Sequence, residues 1–312
     1  MYFSPPERHR SGPPIWLIAI GLAAAFAVAF AGALVASGGL AAAPDRSGLP
    51  SMGGFAGASA SAGGSAGRSA APSPSADPVR GTWTFNVYDE QAVRYQDPDL
   101  TACEAAAAMT MLNMAILNKD YEKAPGHQAP AQPTSWTLDV SMAKQTEILG
   151  YERYSGTMSL TSPGADAHGW RNALNRYGWG VDTAGVYTDQ SYKTFDDAAK
   201  ATVVQLALYR KPVGILGWAG DHAQVVSGYR VTGLDPQLGY TDFDIEGVYL
   251  TDPLKADAYA NEYVPLEYWR TGNRLLRFTP YAMTNSPGKD SIDGKVGNTE
   301  WNGKWVIIAP VA

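Results

Sequence analysis

The stretch that decides the fold runs from Thr101 to Leu117 and reads TACEAAAAMTMLNMAIL. From Ala105 onward it is almost wholly apolar, which is typical of a helix buried on most of its faces. Thr101 and Glu104 match a capping box, in which each side chain bonds a backbone N–H at a helix start. The pattern predicts a central buried helix over 104–117, with Cys103 in its first turn.

Cys103 is the only cysteine in the 312 residues. A thiol at a helix start lies near free backbone N–H groups and the positive end of the helix dipole, which favour the thiolate. An inert buried cysteine is the alternative. We interpret Cys103 as a nucleophile. A single cysteine cannot build a zinc site, and the four histidines show no close ligand spacing, so we expect neither a metal nor a cofactor.

The N-terminal region contains a long apolar segment. Ile15 to Ala36 carry no charge, and such a helix would be ~33 Å long, enough to cross a bilayer. Arg8 and Arg10 precede it, which predicts a cytoplasmic tail over 1–14, a transmembrane helix or uncleaved signal anchor over 15–37, and an extracytoplasmic remainder. A signal peptide cleaved near Ala43 is the alternative.

The chain then changes composition. Residues 38–80 are rich in Gly, Ala, Ser and Pro, which predicts a disordered tether because such a segment cannot bury enough apolar surface. Residues 81–312 have the size of one folded domain. The net charge of −6, with no basic cluster, argues against a nucleic-acid partner.

The folded part is predicted to contain helices first and strands afterwards. Three helices are expected after the central one, at Thr137–Leu149 with a stop at Gly150, at Asp166–Tyr177 with a stop at Gly178, and at Phe195–Leu208. The expected strands are Pro212–Trp218, His222–Val231, Phe243–Leu250, Arg274–Phe278 and Trp305–Ile308. This order indicates an α+β domain with an antiparallel sheet.

Two polar residues lie at the ends of neighbouring predicted strands. His222 opens one strand and Asp252 follows the next, so antiparallel pairing would bring them to the same end of the sheet. A histidine held by a carboxylate is the base that activates a nearby thiol. Gln96 and the backbone N–H of Cys103 are candidate donors to an oxyanion. Taken singly, Asp252 fits an ordinary Asp-Pro turn, His222 a strand-end histidine, and Gln96 a loop residue.

The order of these residues resembles a known family. The stretches Tyr95–Leu112 (YQDPDLTACEAAAAMTML), Pro212–Arg230 (PVGILGWAGDHAQVVSGYR) and Gly247–Pro253 (GVYLTDP) are similar to stand-alone, extracytoplasmic relatives of the bacteriocin-processing-type cysteine peptidases. That family belongs to the papain-like clan. The resemblance covers about two-thirds of the folded part and implies a papain-like fold, in which a central buried helix packs on an antiparallel sheet.

The resemblance also implies roles for individual residues. It implies Cys103 as nucleophile, His222 as base, Asp252 as the residue that orients the base, and Gln96 as oxyanion donor, acting on a peptide or protein substrate. The chain departs from the family pattern in two places. It has Cys-Glu-Ala where many members have Cys-Gly-Pro, and the spacing from Gln96 to Cys103 is one residue longer than usual.

Other interpretations stay open at this point. His168 is the rival histidine, although a helix start disfavours a positive imidazole. Trp218, four residues before His222, is a candidate cleft wall. A papain-like domain used as a surface binding module without turnover is one alternative function. Another thiol acyl-transfer enzyme, such as a transglutaminase-like enzyme or a cell-wall amide hydrolase, is the other.

Overall fold

We describe the chain from a computed structural model, which covers residues 78–97, 101–118, 132–158, 164–181, 185–256, 258–273, 275–282 and 298–311. The predicted tail over 1–14 and transmembrane helix over 15–37 lie outside the described residues, as does the predicted tether up to residue 77. Among the helices described, none combines the length and the apolar character needed to cross a membrane.

The centre of the domain is a seven-stranded antiparallel sheet. Its strands are β1 (Arg80–Asn86), β2 (Tyr187–Tyr192), β3 (Val213–Gly217), β4 (His222–Leu234), β5 (Phe243–Thr251), β6 (Glu262–Pro265) and β7 (Trp305–Pro310). Six strands follow the order β2-β7-β3-β4-β5-β6. The long strand β4 pairs with β3 along its first half and with β1 along its second half, while β5 covers its other edge.

Helices cover both faces of this sheet. They are α1 (Cys103–Leu117), α2 (Met142–Ser155), α3 (Ala167–Trp179), α4 (Phe195–Tyr209) and α5 (Leu266–Thr271). Side chains of α1, α2 and α3 form one core with β3, β4 and β7, and side chains of α4 and α5 form a second core on the opposite face. The predicted α+β class and antiparallel sheet are therefore confirmed.

Helix α1 is buried from Cys103 to Ala115, and the four alanines 105–108 are completely inaccessible. Small side chains there let the helix lie close to β3 and β4, so the predicted central helix is confirmed. Its predicted capping box is wrong. The N-cap is Ala102, which supplies no side-chain cap, and the Glu104 carboxylate accepts the thiol hydrogen of Cys103 instead.

The second and third predicted helices are present with shifted ends. Helix α2 begins after Ser141, whose hydroxyl accepts the N–H of Lys144, and it continues through Gly150 to the residue before Gly156. Asp166 caps α3 as expected. That helix continues past Gly178 to end at Gly180, because φ there is 74° and suits a helix terminus.

The expected order of helices before strands is wrong, because β1 precedes α1 and β2 lies between helices. Strand β1 begins at Arg80, so the folded part includes the last residue assigned to the tether. Strand β2 has the polar sequence YTDQSY, which gives little strand signal. Within the predicted strand Arg274–Phe278, residues 275–278 form no strand, and Arg274 lies outside the described residues.

We expect Gly214→Ala to destabilise the domain by about 2 kcal/mol or more, because overpacking a close contact is costly. A Cβ at Gly214 would lie 2.4 Å from the ring of Trp170, a buried residue of α3. Gly150→Ala is the matched control: nothing lies within 4 Å of its Cβ position, so better helix propensity should stabilise by ~0.5–1 kcal/mol. Denaturant unfolding measures both changes. Equal effects of the two substitutions would contradict the packing of α3 on β3.

Candidate functional site

The pairing of β4 with β5 brings His222 and Asp252 together. The two strands are antiparallel, with Val225 opposite Thr251, so the first residue of β4 lies beside the residue that follows β5. Nε2 of His222 is 2.7 Å from Oδ1 of Asp252, and both side chains are buried. The strand geometry inferred from the sequence is thus found in the structure.

Asp252 is held by further hydrogen bonds. Nε2 of Gln224, two residues along β4 from His222, donates to Oδ2 at 2.8 Å, and the N–H of Leu254 donates to Oδ1 at 2.9 Å. Burial is the largest single effect and raises the pKa of Asp252. The hydrogen bond and charge of His222, together with the hydrogen bonds from Gln224 and Leu254, outweigh it, so the pKa is lowered overall. Gln224 was not identified from the sequence. Its spacing of two from His222, on the same face of a strand, is the signal that points to it.

A strained turn joins β3 to His222. Trp218, Ala219 and Gly220 all have positive φ, at 52°, 64° and 102°. The N–H of Ala219 donates to Oγ1 of Thr279 at 2.6 Å, which holds the turn in place. The Trp218 ring lies 4.3 Å from the His222 ring, centroid to centroid, and tilts by 32°. Consecutive left-handed non-glycine residues are costly and often occur where a side chain must be aimed.

Cys103 is the first residue of α1 and lies at the start of β4. The N–H of Ala223, the residue after His222, hydrogen-bonds its sulfur. The thiol itself donates to Oε2 of Glu104 at 3.1 Å. Burial, then the charge and hydrogen bond of Glu104, raise the pKa of Cys103 well above its ordinary value. The lowered pKa expected from the helix start is therefore wrong, because the thiol is buried and, in addition, Glu104 follows the cysteine directly.

Gln96 lies at the Asp252 end of the site. Its N–H donates to the carbonyl of Pro253 at 2.8 Å. Buried Gln145 of α2 fixes the backbone on both sides, accepting the N–H of Asp97 at 2.7 Å and donating to the carbonyl of Tyr95 at 2.9 Å. Gln145 was not predicted from the sequence. No sequence signal marks it, because its partners are backbone groups about 50 residues away.

His168, the rival histidine, belongs to a different cluster. Its Nδ1 lies 3.1 Å from Asp189 and its Nε2 lies 2.7 Å from Glu300, so carboxylates engage both ring nitrogens. Burial lowers the pKa of His168, but the bond and charge of Asp189 outweigh it and raise that pKa overall. A positive imidazole is thus favoured here, contrary to expectation from the helix start. This cluster joins α3 to β2 and the turn before β7, which is a structural role.

A groove of about 610 Å³ lies beside the Gln96 segment. Its lining includes Val93, Tyr95, Val140, Met142 and Gln145. Cys103, His222 and Asp252 do not line it, so this groove flanks the candidate site rather than containing it. Among the described residues, no group of three His, Cys, Asp or Glu side chains is arranged to hold a metal ion.

We expect Asp252→Asn to lower the free energy of unfolding by about 2 kcal/mol near neutral pH, because a charge-assisted hydrogen bond to His222 is lost. A carboxyl with a lowered pKa stabilises the fold above its ordinary pKa of about 3.9, and that stabilisation is lost as pH falls through the folded pKa. The difference from the wild type should therefore shrink below about pH 4.

Denaturant unfolding at several pH values measures this difference. Asp244→Asn, at an exposed position of β5, is the control and should have little effect. A difference between wild type and Asp252→Asn that stays constant down to pH 2 would contradict an ionised Asp252.

The His222–Asp252 pair and the Cys103 thiol thus lie at the same end of the sheet, and Gln96 is anchored to the residue after Asp252. This arrangement has the groups needed for thiol-based nucleophilic chemistry. Comparison with known proteins adds no identification: no family model, no curated protein and no solved structure matches this chain.

Proposed function

We propose that this protein is a cysteine peptidase that hydrolyses peptide bonds through Cys103, His222 and Asp252. One observation carries the proposal. The buried His222–Asp252 pair lies at the start of β4, and the next residue, Ala223, hydrogen-bonds the Cys103 sulfur through its N–H. A nucleophile, a histidine that acts as its base and a carboxylate that orients the histidine are the components of a hydrolytic triad, whatever fold carries them.

The hydrogen bonds assign the proton on His222. Asp252 has a lowered pKa and is ionised near neutral pH, so it can only accept hydrogen bonds. Nε2 of His222 therefore carries a hydrogen, and Nδ1 of the neutral ring has the free lone pair. Nδ1 takes the thiol proton of Cys103, and Asp252 stabilises the resulting imidazolium.

The remaining steps follow from this assignment. The thiolate sulfur attacks the substrate carbonyl carbon, and the carbonyl electron pair moves to oxygen. The amide of Gln96 and the N–H of Cys103 donate to that oxyanion. His222 returns its proton to the departing amine as the C–N bond breaks, leaving a thioester. A water molecule, deprotonated by His222, then hydrolyses the thioester and releases the acid and the free thiol.

The proposal includes the fold family and the location. A papain-like arrangement is supported by the buried helix that begins at Cys103 and packs on an antiparallel sheet bearing His222. The resemblance of the residues around Cys103, His222 and Asp252 to bacteriocin-processing-type peptidases supports the same assignment. An extracytoplasmic, membrane-anchored location is supported by the uncharged segment Ile15–Ala36 behind Arg8 and Arg10.

A second candidate function is a papain-like binding module without turnover. Two observations favour it. The Cys103 thiol donates to Glu104 and has a raised pKa, which disfavours a thiolate. The groove of about 610 Å³ lies beside the Gln96 segment and includes exposed apolar side chains such as Tyr95, Val140 and Met142. Such a groove can hold apolar side chains of a bound peptide without any reaction at Cys103.

We expect Cys103→Ala and His222→Ala each to lower the cleavage rate of unfolded casein or a mixed peptide library by about 10³-fold or more. The purified full-length chain is the enzyme, and fragments are detected by mass spectrometry. His168→Gln is the control, because that histidine belongs to a separate carboxylate cluster. Unchanged cleavage by the Cys103→Ala variant would contradict the peptidase proposal. Peptide binding by a wild type that cleaves nothing would favour the binding module.

We expect Gln96→Ala to lower kcat by about 10²-fold, which is typical for loss of one oxyanion donor. Gln145→Ala should lower kcat in the same direction but less, because it frees the backbone on both sides of Gln96 without removing its amide. The KM of both variants should change little. Gln132→Ala removes a half-buried glutamine that takes no part in these hydrogen bonds and serves as a control. Full activity of Gln96→Ala would assign the oxyanion to another donor.

A further inference from the structure

The residue after Cys103 is buried and acidic. Glu104 is 3% exposed, and its Oε2 accepts the thiol hydrogen of Cys103 at 3.1 Å. A carboxylate at this distance opposes formation of a thiolate, since two negative charges in a low-dielectric interior repel strongly. No step of the proposed mechanism uses Glu104. Its carboxylate is nevertheless an ionisable group that hydrogen-bonds the Cys103 sulfur directly.

A second buried carboxyl lies behind it. Glu152 of α2 is completely inaccessible, and neither of its carboxyl oxygens has a hydrogen-bond partner among the described residues. Burial and the charges of Glu104 and Asp166 raise the pKa of Glu152 well above its ordinary value, while Arg153 opposes this rise. Unpaired buried carboxyls take up protons rather than remain charged, so this region holds a proton close to Glu104.

The charges that face Glu104 come from every element around it. Glu152 and Arg153 lie on α2, Asp166 caps α3, and His222 opens β4. Burial has the largest effect and raises the pKa of Glu104, and Asp166 acts in the same direction. The thiol hydrogen bond, the N–H of Glu104 itself and the charge of His222 lower it by a smaller total. Glu104 therefore ionises at a higher pH than an exposed glutamate.

We propose that Glu104 controls the reactivity of Cys103: its carboxylate holds the thiol hydrogen and keeps the sulfur protonated, whereas its neutral carboxyl allows the thiolate to form. In the second state the thiol proton passes to Nδ1 of His222, the electron pair stays on sulfur, and the Glu104 O–H donates to the thiolate. The regulation of peptide hydrolysis by Glu104 rests on the proposed function. The regulation of thiol reactivity by Glu104 does not.

The test is the pH dependence of alkylation. Cys103 is the only cysteine, so iodoacetamide labelling of the intact protein, followed by mass spectrometry, reports this thiol alone. The sulfur displaces iodide from the reagent as a thiolate. Rates are measured from pH 5 to 9 for the full-length wild type, for Glu104→Gln and for Glu147→Gln. Glu147 is an exposed residue of α2 and controls for loss of one negative charge.

We expect Glu104→Gln to label about tenfold or more faster than the wild type near neutral pH, corresponding to a thiol titration at least one pH unit lower. The difference should shrink toward acid pH, because Glu104 becomes protonated and resembles the glutamine. Glu147→Gln should follow the wild type. Coincident profiles for wild type and Glu104→Gln, or slower labelling of Glu104→Gln, would overturn the proposal.

The wild type alone supplies a second measurement in case the variant does not fold. The logarithm of the labelling rate of an isolated thiol rises by one for each pH unit below its pKa. In the wild type the slope should be shallower while Glu104 ionises, and a slope of one throughout would contradict the proposal. Peptide cleavage is assayed on the same samples. A shifted labelling profile without cleavage by any sample would remove the peptidase function and leave the control of the thiol by Glu104 in place.

Discussion

The packing of α1 against β4 is the contact on which the rest of the site depends. Helix α1 is buried along nearly its whole length, and its alanines at 105–108 are completely inaccessible. Such a helix has no polar face for solvent and can only lie in the interior of the domain. Its first residue, Cys103, is then fixed against the start of β4, where the Ala223 N–H bonds the sulfur. A fold with α1 at the surface would not bring these groups together.

The sheet supplies the rest of the geometry at that end. Antiparallel pairing places the start of β4 beside the end of β5, and His222 and Asp252 occupy those two positions. Asp252 accepts from His222, Gln224 and Leu254, so its charge is fully hydrogen-bonded although it is buried. The strained Trp218–Gly220 turn packs the Trp218 ring against the ring of His222 and so restricts its orientation. These constraints are all local to one edge of the sheet.

Sequence patterns predicted the parts of this arrangement that depend on local order. The apolar run predicted α1. The position of His222 at the start of one strand and of Asp252 after the next predicted that the two side chains lie close together. The strand β1 was missed because the preceding Gly, Ala, Ser and Pro residues obscured its alternating WTF pattern. Gln145 was missed because it bonds backbone groups distant in the chain. The pKa of the Cys103 thiol was misjudged because burial disfavours a charged sulfur, and the negative charge of Glu104 adds to that effect. Both act against the helix dipole, which has a weaker influence.

The structure therefore combines a carboxylate-bound histidine with a protonated thiol. His222 has the carboxylate that a catalytic histidine needs, while the Cys103 hydrogen points to Glu104. These two features are compatible, because a thiolate–imidazolium pair and a thiol with a neutral imidazole contain the same number of protons. Conversion between them requires a proton shift from the Cys103 sulfur to His222, together with the uptake of one proton by Glu104. No strand, helix or hydrogen bond of Asp252 has to move. A thiol kept protonated until its surroundings change is also less exposed to oxidation, which matters for a lone cysteine proposed to work outside the cytoplasm.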